Sequence, residues 1–242
     1  MYTLLKHELK RRRLAALLTL LAIAALYAYT FRLLGRLTEP VAALGLPALA
    51  LIFPLILWAL WLHWQSLREE WQEGTTHFLF SFPLRGWQVL LAKGGAVAIY
   101  FLIFTLFSAV LGGAALVKGF TAAGSPLSRE DLRQLIFSDG SKLYVQYLLV
   151  AFSLIAYSQL AFILGQISSR WQGMLSAVSF VAIFYLVGKL LALLEPVINL
   201  LPEVSFSFGT GSFNPWYMVA AFCFSLLAAG LAGWLLDHKV DF

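Results

Sequence analysis

Residues 14–34 read LAALLTLLAIAALYAYTFRLL, an apolar stretch in which Arg32 is the single charged residue. A helix needs about 20 apolar residues to cross the hydrocarbon core of a bilayer, and this stretch has that length. Five more apolar runs follow along the chain, at 41–63, 94–117, 144–167, 174–194 and 215–236. The pattern predicts an all-α, polytopic membrane protein with six transmembrane helices.

The composition agrees with this class of protein. Of the 242 residues, 61% are hydrophobic and 12% are charged, whereas roughly 25% are charged in a typical globular chain. Little sequence remains for a separate aqueous domain, so we expect one transmembrane domain over residues 1–242. The net charge of +5 does not indicate nucleic acid binding, because the cations lie at the edges of apolar runs rather than along one stripe.

Lysine and arginine residues predict the orientation, because they accumulate on cytoplasmic flanks. The basic stretch at residues 6–13 places the amino terminus inside, and with six crossings the inner flanks hold more cations than the outer ones. We therefore expect a multi-pass cell-membrane protein with both termini in the cytoplasm and an extracellular loop at 118–142. A cleaved secretory signal is disfavoured because hydrophobicity continues to Leu34.

Residues 1–13 combine apolar and basic side chains at helical spacing. The apolar face holds Tyr2, Leu5 and Leu9, and the basic face holds Lys6, Lys10 and Arg13. This spacing predicts an amphipathic helix that lies in the plane of the lipid headgroups. The alternative is a disordered basic tail.

Residues 65–93, between the predicted second and third spans, read QSLREEWQEGTTHFLFSFPLRGWQVLLAK. The sequence predicts two short cytoplasmic helices joined by a turn at 82–85, with Thr75 or Thr76 capping a helix start. An apolar patch lies beside an acidic group here, formed by Phe78, Leu79 and Phe82 with Glu69, Glu70 and Glu73. Such a patch suits docking into the groove of a partner protein.

This stretch resembles the connection between spans 2 and 3 in the permease subunits of type 2 ABC transporters, the export class. The matching residues are Glu73, Gly74, Thr75, Leu79, Pro83, Arg85 and Lys93. Ala92 stands where the family has glycine. The basic amino terminus and the six spans also resemble that family, so the likeness covers the whole chain in layout and residues 73–93 in motif detail.

The resemblance implies a coupling helix that docks on a cytoplasmic ATPase subunit. Its interface would comprise Glu69, Glu70, Glu73, Gly74, Thr75, Phe78, Leu79, Phe82, Pro83 and Arg85. The expected complex pairs this chain with a second permease copy or homologue and with two ATPase subunits that bind ATP and Mg²⁺. It would export an amphiphilic cargo: a drug, a peptide, a lipid or a lipid-linked glycan. The alternative for this segment is a solvated loop.

The chain itself shows no enzyme motif. Gly188-Lys189 is followed by Leu190 and lacks the upstream glycine of a phosphate-binding loop. No histidine and cysteine cluster predicts a metal site. We therefore expect no bound cofactor and no catalysis by this chain. The other functional classes that stay open are a stand-alone secondary transporter or channel, and a membrane assembly subunit without transport.

Polar residues within the spans are candidates for a transport pathway. They are Tyr157, Ser158, Gln159, Ser179, Tyr185 and Lys189. Interhelical hydrogen bonds are the commoner use of such residues, and a lysine near a span end often extends to water. A stripe of small residues in the last span predicts a helix-packing face, formed by Ala221, Ser225, Ala229 and Gly233. Residues 209–212 suggest a flexible outer turn.

Overall fold

The computed structural model describes residues 2–34, 54–69, 86–122, 140–166, 171–202, 206–208 and 211–238. In chain order, the described elements are helices α1 (Tyr2–Arg11), α2 (Arg13–Leu34), α3 (54–69), α4 (Gly86–Ala122), α5 (Gly140–Gln166) and α6 (Gln172–Ile198), strands β1 (Phe206–Phe208) and β2 (Gly211–Phe213), and helix α7 (Trp216–His238). Helices α2, α4, α5, α6 and α7 are long and apolar enough to cross a membrane. The prediction of several helices that are long and apolar enough to span a membrane is therefore confirmed.

The predicted second span, 41–63, overlaps α3 only from residue 54 onward. Residues 35–53 lie outside the described part of the chain. The count of six spans therefore stays a prediction, while five of the six predicted apolar runs coincide with long helices.

The amino terminus is helical from Tyr2, and Arg12 separates α1 from α2. Helical hydrogen bonds continue on both sides of this break, because the Arg12 amide donates to the Glu8 carbonyl at 3.3 Å and the Ala16 amide donates to the Arg12 carbonyl at 3.0 Å. Helix α2 therefore follows α1 directly, with only Arg12 between them. The in-plane placement of α1 remains a prediction.

Several helices extend beyond the apolar runs that predict them. Helix α4 begins at Gly86 rather than near Gly94, and α5 begins at Gly140 rather than at Tyr144. The reason is that hydropathy marks only the apolar part of a helix, whereas backbone hydrogen bonds continue through polar residues such as Gln88 and Lys93. The predicted coupling segment, 65–93, thus overlaps the end of α3 and the start of α4, and its residues 70–85 lie outside the described part.

A short antiparallel hairpin precedes α7. Phe206 pairs with Phe213 and Phe208 pairs with Gly211, so the membrane body is helical but the chain is not strictly all-α. The side chain of Asn214 then caps α7, since its Oδ1 accepts a hydrogen bond from the Trp216 amide at 3.0 Å. Asparagine is a favoured residue before a helix start.

The chain forms two compact units. The first comprises described residues within Met1–Leu4, Leu60–Gly95 and Val145–Phe242. Its core is built from residues of α3, α4, α5 and α7: Leu67, Leu90, Tyr157, Leu160, Phe162, Ile163, Ala228, Ala232 and Leu236. Trp64 packs edge-on against Phe162, with ring centroids 5.4 Å apart. Aromatic pairs favour this geometry.

The second unit comprises described residues within Leu5–Ala59 and Ala96–Tyr144. The Tyr27 hydroxyl donates to the Ser108 carbonyl at 2.9 Å and so links α2 to α4. Gly112 makes room for this ring, because a Cβ there would lie 3.1 Å from the Tyr27 oxygen. Trp58 of α3 packs edge-on against Phe104 of α4, with centroids 4.8 Å apart.

Candidate functional site

The candidate site is the base of the predicted coupling segment, where α3 leads into residues 70–85 and α4 leads out of them. We call this region the neck and define it by Ser66, Gly86, Trp87, Lys93 and Asp237, all of which belong to the first compact unit. The structure describes every residue of the neck, whereas residues 70–85 lie outside its described part. Its contacts show how the two ends of the segment are held.

Lys93 is the central residue of the neck. Its side chain is only 3% exposed. The Nζ atom donates to the backbone carbonyl of Ser66 at 2.9 Å and to the Ser66 hydroxyl oxygen at 3.3 Å. An ammonium group that is removed from water needs such acceptors, because an uncompensated buried charge is strongly unfavourable. Lys93 therefore joins α3 to α4 across the base of the segment.

Two other buried polar residues lie close to the start of α4. His63, one helical turn before Ser66, is fully buried. Gln159 of α5 donates from Nε2 to the Leu90 carbonyl at 3.3 Å. Gly94 leaves space for these side chains, since a Cβ there would lie 2.5 Å from Gln159 Nε2 and 3.9 Å from His63 Cε1. Helices α3, α4 and α5 thus share a polar layer just inside the neck.

The first residue of α4 is held by the end of α7. The Asp237 carboxylate accepts a hydrogen bond from the Gly86 amide. An amide at a helix start has no partner within its own helix, and a negative charge there also interacts favourably with the helix dipole. Close backbone packing supports this contact, because a Cβ at Gly233 would lie 2.6 Å from Trp87 Cβ and 3.0 Å from Trp87 Cα.

Most of the predicted ATPase-coupling residues lie outside the described residues. These are Glu70, Glu73, Gly74, Thr75, Phe78, Leu79, Phe82, Pro83 and Arg85. Glu69 is described, and it is half-buried in the last described turn of α3. The predicted coupling surface therefore stays a prediction, while the helices that flank it are placed.

The predicted pathway residues of α5 are buried and bonded to backbone carbonyls. Tyr157 donates from its hydroxyl to the Ala221 carbonyl of α7 at 2.8 Å. Ser158 donates to the Ile155 carbonyl within its own helix at 2.7 Å. Together with the bond from Gln159 to Leu90, these contacts correspond to the structural use of polar residues in membrane helices.

The pathway candidates of α6 have different surroundings. Lys189 is exposed, and its Nζ lies 5.6 Å from the ring centroid of Tyr185, which is also exposed. This is a cation–π contact at the surface of the described structure. Ser179 is half-buried. The structure thus does not bring the α5 and α6 candidates together into one polar cluster.

The small-residue stripe of α7 packs within the chain at two of its four positions. Ser225 is buried, and Gly233 lies against Trp87 of α4. Ala221 supplies the carbonyl that accepts from Tyr157, and Ala229 is half-buried. The buried line of the helix is completed by Ala228, Ala232 and Leu236. Small side chains permit this close approach of helix backbones.

Sequence reasoning missed the burial of Lys93 and the capping role of Asp237. The sequence analysis places Lys93 at the end of the cytoplasmic segment 65–93, although the apolar residues Val89, Leu90, Leu91 and Ala92 immediately precede it. That apolar run was the available signal for a buried position. Asp237 gave no comparable signal, because its partner is 151 residues away along the chain. Among the described residues, no group of His, Cys, Asp and Glu could hold a metal ion.

Comparisons with models of known protein families, with curated proteins and with solved structures find no match to this chain. Its function therefore has to be argued from its own residues and contacts.

Proposed function

We propose that this chain is the membrane subunit of an ATP-driven exporter, and that residues 70–85 form the element through which a separate cytoplasmic ATPase drives it. The cargo is amphiphilic, and its class is a drug, a peptide, a lipid or a lipid-linked glycan. The pathway is built with a second permease copy or homologue. Both termini face the cytoplasm, as the distribution of Lys and Arg predicts.

The proposal rests on the neck, which holds the helices on both sides of residues 70–85, the segment that resembles the permease motif. Glu73, Gly74, Thr75, Pro83 and Arg85 follow the pattern of the type 2 ABC exporter permeases. A coupling element transmits motion only if its ends are attached firmly to the helices that must move. The Lys93 contacts with Ser66 and the Asp237 contact with Gly86 supply such attachment. A push on the segment would thus reach α3, α4 and α7 together.

The composition of the chain favours a division of labour between two polypeptides. These 242 residues contain no phosphate-binding loop, so the proposal assigns nucleotide hydrolysis to a separate ATPase subunit. The described helices also contain few ionisable groups of the kind that proton- or ion-coupled transporters place in their pathways. The proposed ATPase subunit would supply the energy for transport.

Helix α6 offers a surface for a second permease subunit or for lipid. Exposed apolar side chains are present along most of its length, among them Val178, Val181, Phe184, Leu186 and Leu193. In a bilayer such a face contacts acyl chains or another apolar helix. A permease dimer would use part of it.

The proposal is tested by isolating the chain with its partner and measuring coupling. The tagged chain is purified in mild detergent from its native membranes, and co-purified soluble proteins are assayed for ATPase activity. Glu73→Ala and Arg85→Glu should leave the chain folded but reduce the transporter-dependent ATPase activity by at least about fivefold, the lower end of typical coupling energies.

Matched controls are available at exposed positions far along the sequence from the motif. Glu195→Ala removes the same kind of side chain, and Arg32→Glu makes the same charge reversal. Both should keep wild-type activity. If no ATPase accompanies the purified chain, or if the motif and control variants behave alike, the chain is not the membrane half of such a motor, and a stand-alone transporter or an assembly subunit becomes the better explanation.

A further inference from the structure

The charged residues of the amino-terminal helix are sorted by sign and by burial. Lys6, Lys10 and Arg11 are exposed, and so is Arg13 at the start of α2. Glu8, the one acidic residue of α1, is only 3% exposed. The outward surface of this region is therefore cationic, without a carboxylate of α1 beside it.

A buried ion pair accounts for this sorting. The Arg12 guanidinium donates from Nε to Glu8 Oε2 at 3.5 Å, and Arg12 is 7% exposed. On the same helix, the Leu9 carbonyl accepts a hydrogen bond from the Tyr100 hydroxyl of α4. These contacts within the second compact unit fix which side of α1 faces inward. The ion pair neutralises Arg12, whereas the exposed charged groups of this region are all cations: Lys6, Lys10, Arg11 and Arg13.

The position of these cations along the chain places them at headgroup depth. The apolar part of α2 begins at Leu14, and Lys10 precedes it by four residues, or about 6 Å along a helix. The headgroup region of one leaflet is about 5–7 Å deep. Lys10, Arg11 and Arg13 therefore lie in that layer whether α1 continues upright or bends into the membrane plane.

The apolar side chains of α1 that the structure describes are only partly exposed. Leu5 and Leu9 are half-buried against the protein rather than exposed. The sequence predicts a helix whose apolar face enters the lipid, whereas the described side chains show an outward face that carries charge. The described outward side chains therefore favour electrostatic contact with the headgroups of the bilayer.

We propose that Lys10, Arg11 and Arg13, together with Lys6, form a binding surface for anionic phospholipid headgroups. The ligand chemistry is a phosphodiester with net negative charge in the adjoining leaflet, as in phosphatidylglycerol. This inference does not depend on the transport proposal, because it concerns the folded chain in any functional class. It also goes beyond the role of such cations during insertion, since it requires that they bind lipid in the mature protein.

The test measures lipid binding to the purified chain in neutral detergent by native mass spectrometry. Phosphatidylglycerol is compared with phosphatidylcholine of identical acyl chains. The wild-type chain should bind phosphatidylglycerol more tightly. The triple variant Lys10→Gln, Arg11→Gln, Arg13→Gln should lose about fivefold in affinity per cation, or roughly a hundredfold in total. The control triple variant Arg32→Gln, Lys118→Gln, Lys142→Gln removes the same charge elsewhere and should bind like wild type.

A salt titration of the wild-type chain tests the proposal without any variant. Raising NaCl from about 0.05 M to about 0.5 M shortens the range of electrostatic attraction severalfold, and the preference for phosphatidylglycerol should disappear. The proposal is overturned if the wild-type chain shows no preference between the two lipids, if the preference survives high salt, or if both triple variants lose affinity equally. The last outcome would mean that net charge, rather than this surface, attracts the lipid.

Discussion

Adding one methyl group at Gly233 should destabilise the chain, because α7 approaches the backbone of α4 more closely there than a side chain allows. A Cβ at this position would lie 2.6 Å from Trp87 Cβ and 3.0 Å from Trp87 Cα. Carbon atoms pack best at about 3.5–4.0 Å, so the helices must separate by close to 1 Å. Trp87 Cα belongs to the backbone and cannot turn aside, and overpacking of this kind costs about 1–3 kcal/mol.

Gly230 on the same helix provides the matched control. Nothing lies within 4 Å of a Cβ added there, so Gly230→Ala changes only the helix propensity, which favours alanine by up to about 1 kcal/mol. Because Gly233→Ala gains the same propensity term, the difference between the two variants isolates the clash with Trp87. That difference should be about 1–3 kcal/mol in the free energy of unfolding.

The assay is reversible unfolding in mixed micelles with increasing SDS, followed by circular dichroism. Both variants are measured beside the wild-type chain. Equal stability of Gly233→Ala and Gly230→Ala would refute the close contact between α7 and the start of α4. It would also remove part of the support for a firmly held neck.

Three further predictions use the same unfolding assay. Ser66→Ala should lower the free energy of unfolding by less than about 1 kcal/mol, because Lys93 keeps its contact with the backbone carbonyl of residue 66 at 2.9 Å. Lys93→Ala removes both contacts and should lower it by about 2 kcal/mol or more. A larger loss for Ser66→Ala than for Lys93→Ala would contradict the described contacts of the neck. Asp237→Ala should lower the free energy of unfolding by about 1 kcal/mol, because the Gly86 amide loses its acceptor, whereas Asp237→Asn keeps a side-chain oxygen and most of this stability. Equal losses for the two variants would argue against capping. Gly165→Ala should be strongly destabilising, since its Cβ would lie 1.8 Å from Ser176 Oγ. Adding Ser176→Gly to this variant should restore part of the lost stability. If the double variant is no more stable than Gly165→Ala, the contact between the two residues is wrong.

The membrane helices were predictable because hydrocarbon imposes a simple requirement on sequence. A run of about 20 apolar residues satisfies its backbone within one helix and its side chains within lipid. Five runs identified in this way coincide with long helices. The ends of those helices were less predictable. Helix α4 starts at Gly86, and its first turns are held by tertiary contacts, from the Gly86 amide to Asp237 and from Lys93 to Ser66.

The neck could be predicted only in part. Lys93 was recognised as a motif residue, but its burial depends on Ser66, 27 residues earlier, and on the packing of three helices. Hydropathy contains no information on such pairing. Asp237 illustrates the same limit, because a carboxylate near the end of the last helix caps the start of one that begins far earlier.

The hairpin before α7 was missed for a different reason. Its strands are three residues long, and the alternation Phe206-Ser207-Phe208 is too short to stand out beside spans of more than 20 residues. A hairpin pattern was nevertheless present, because two residues separate the paired strands and the first of them is a glycine, Gly209. Taken from the sequence alone, residues 209–212 suggest a flexible outer turn instead.

The central claim is that a cytoplasmic motor acts on residues 70–85, and the side of the membrane on which Thr75 lies tests it most directly. The chain has a single cysteine, Cys223, so Cys223→Ser gives a background without thiols. In that background, Thr75→Cys should react with a membrane-impermeant maleimide only when the cytoplasmic face is accessible, while Ser128→Cys in the predicted outer loop should react in intact cells. Labelling of Thr75→Cys in intact cells would contradict the account, because no cytoplasmic ATPase could reach the segment.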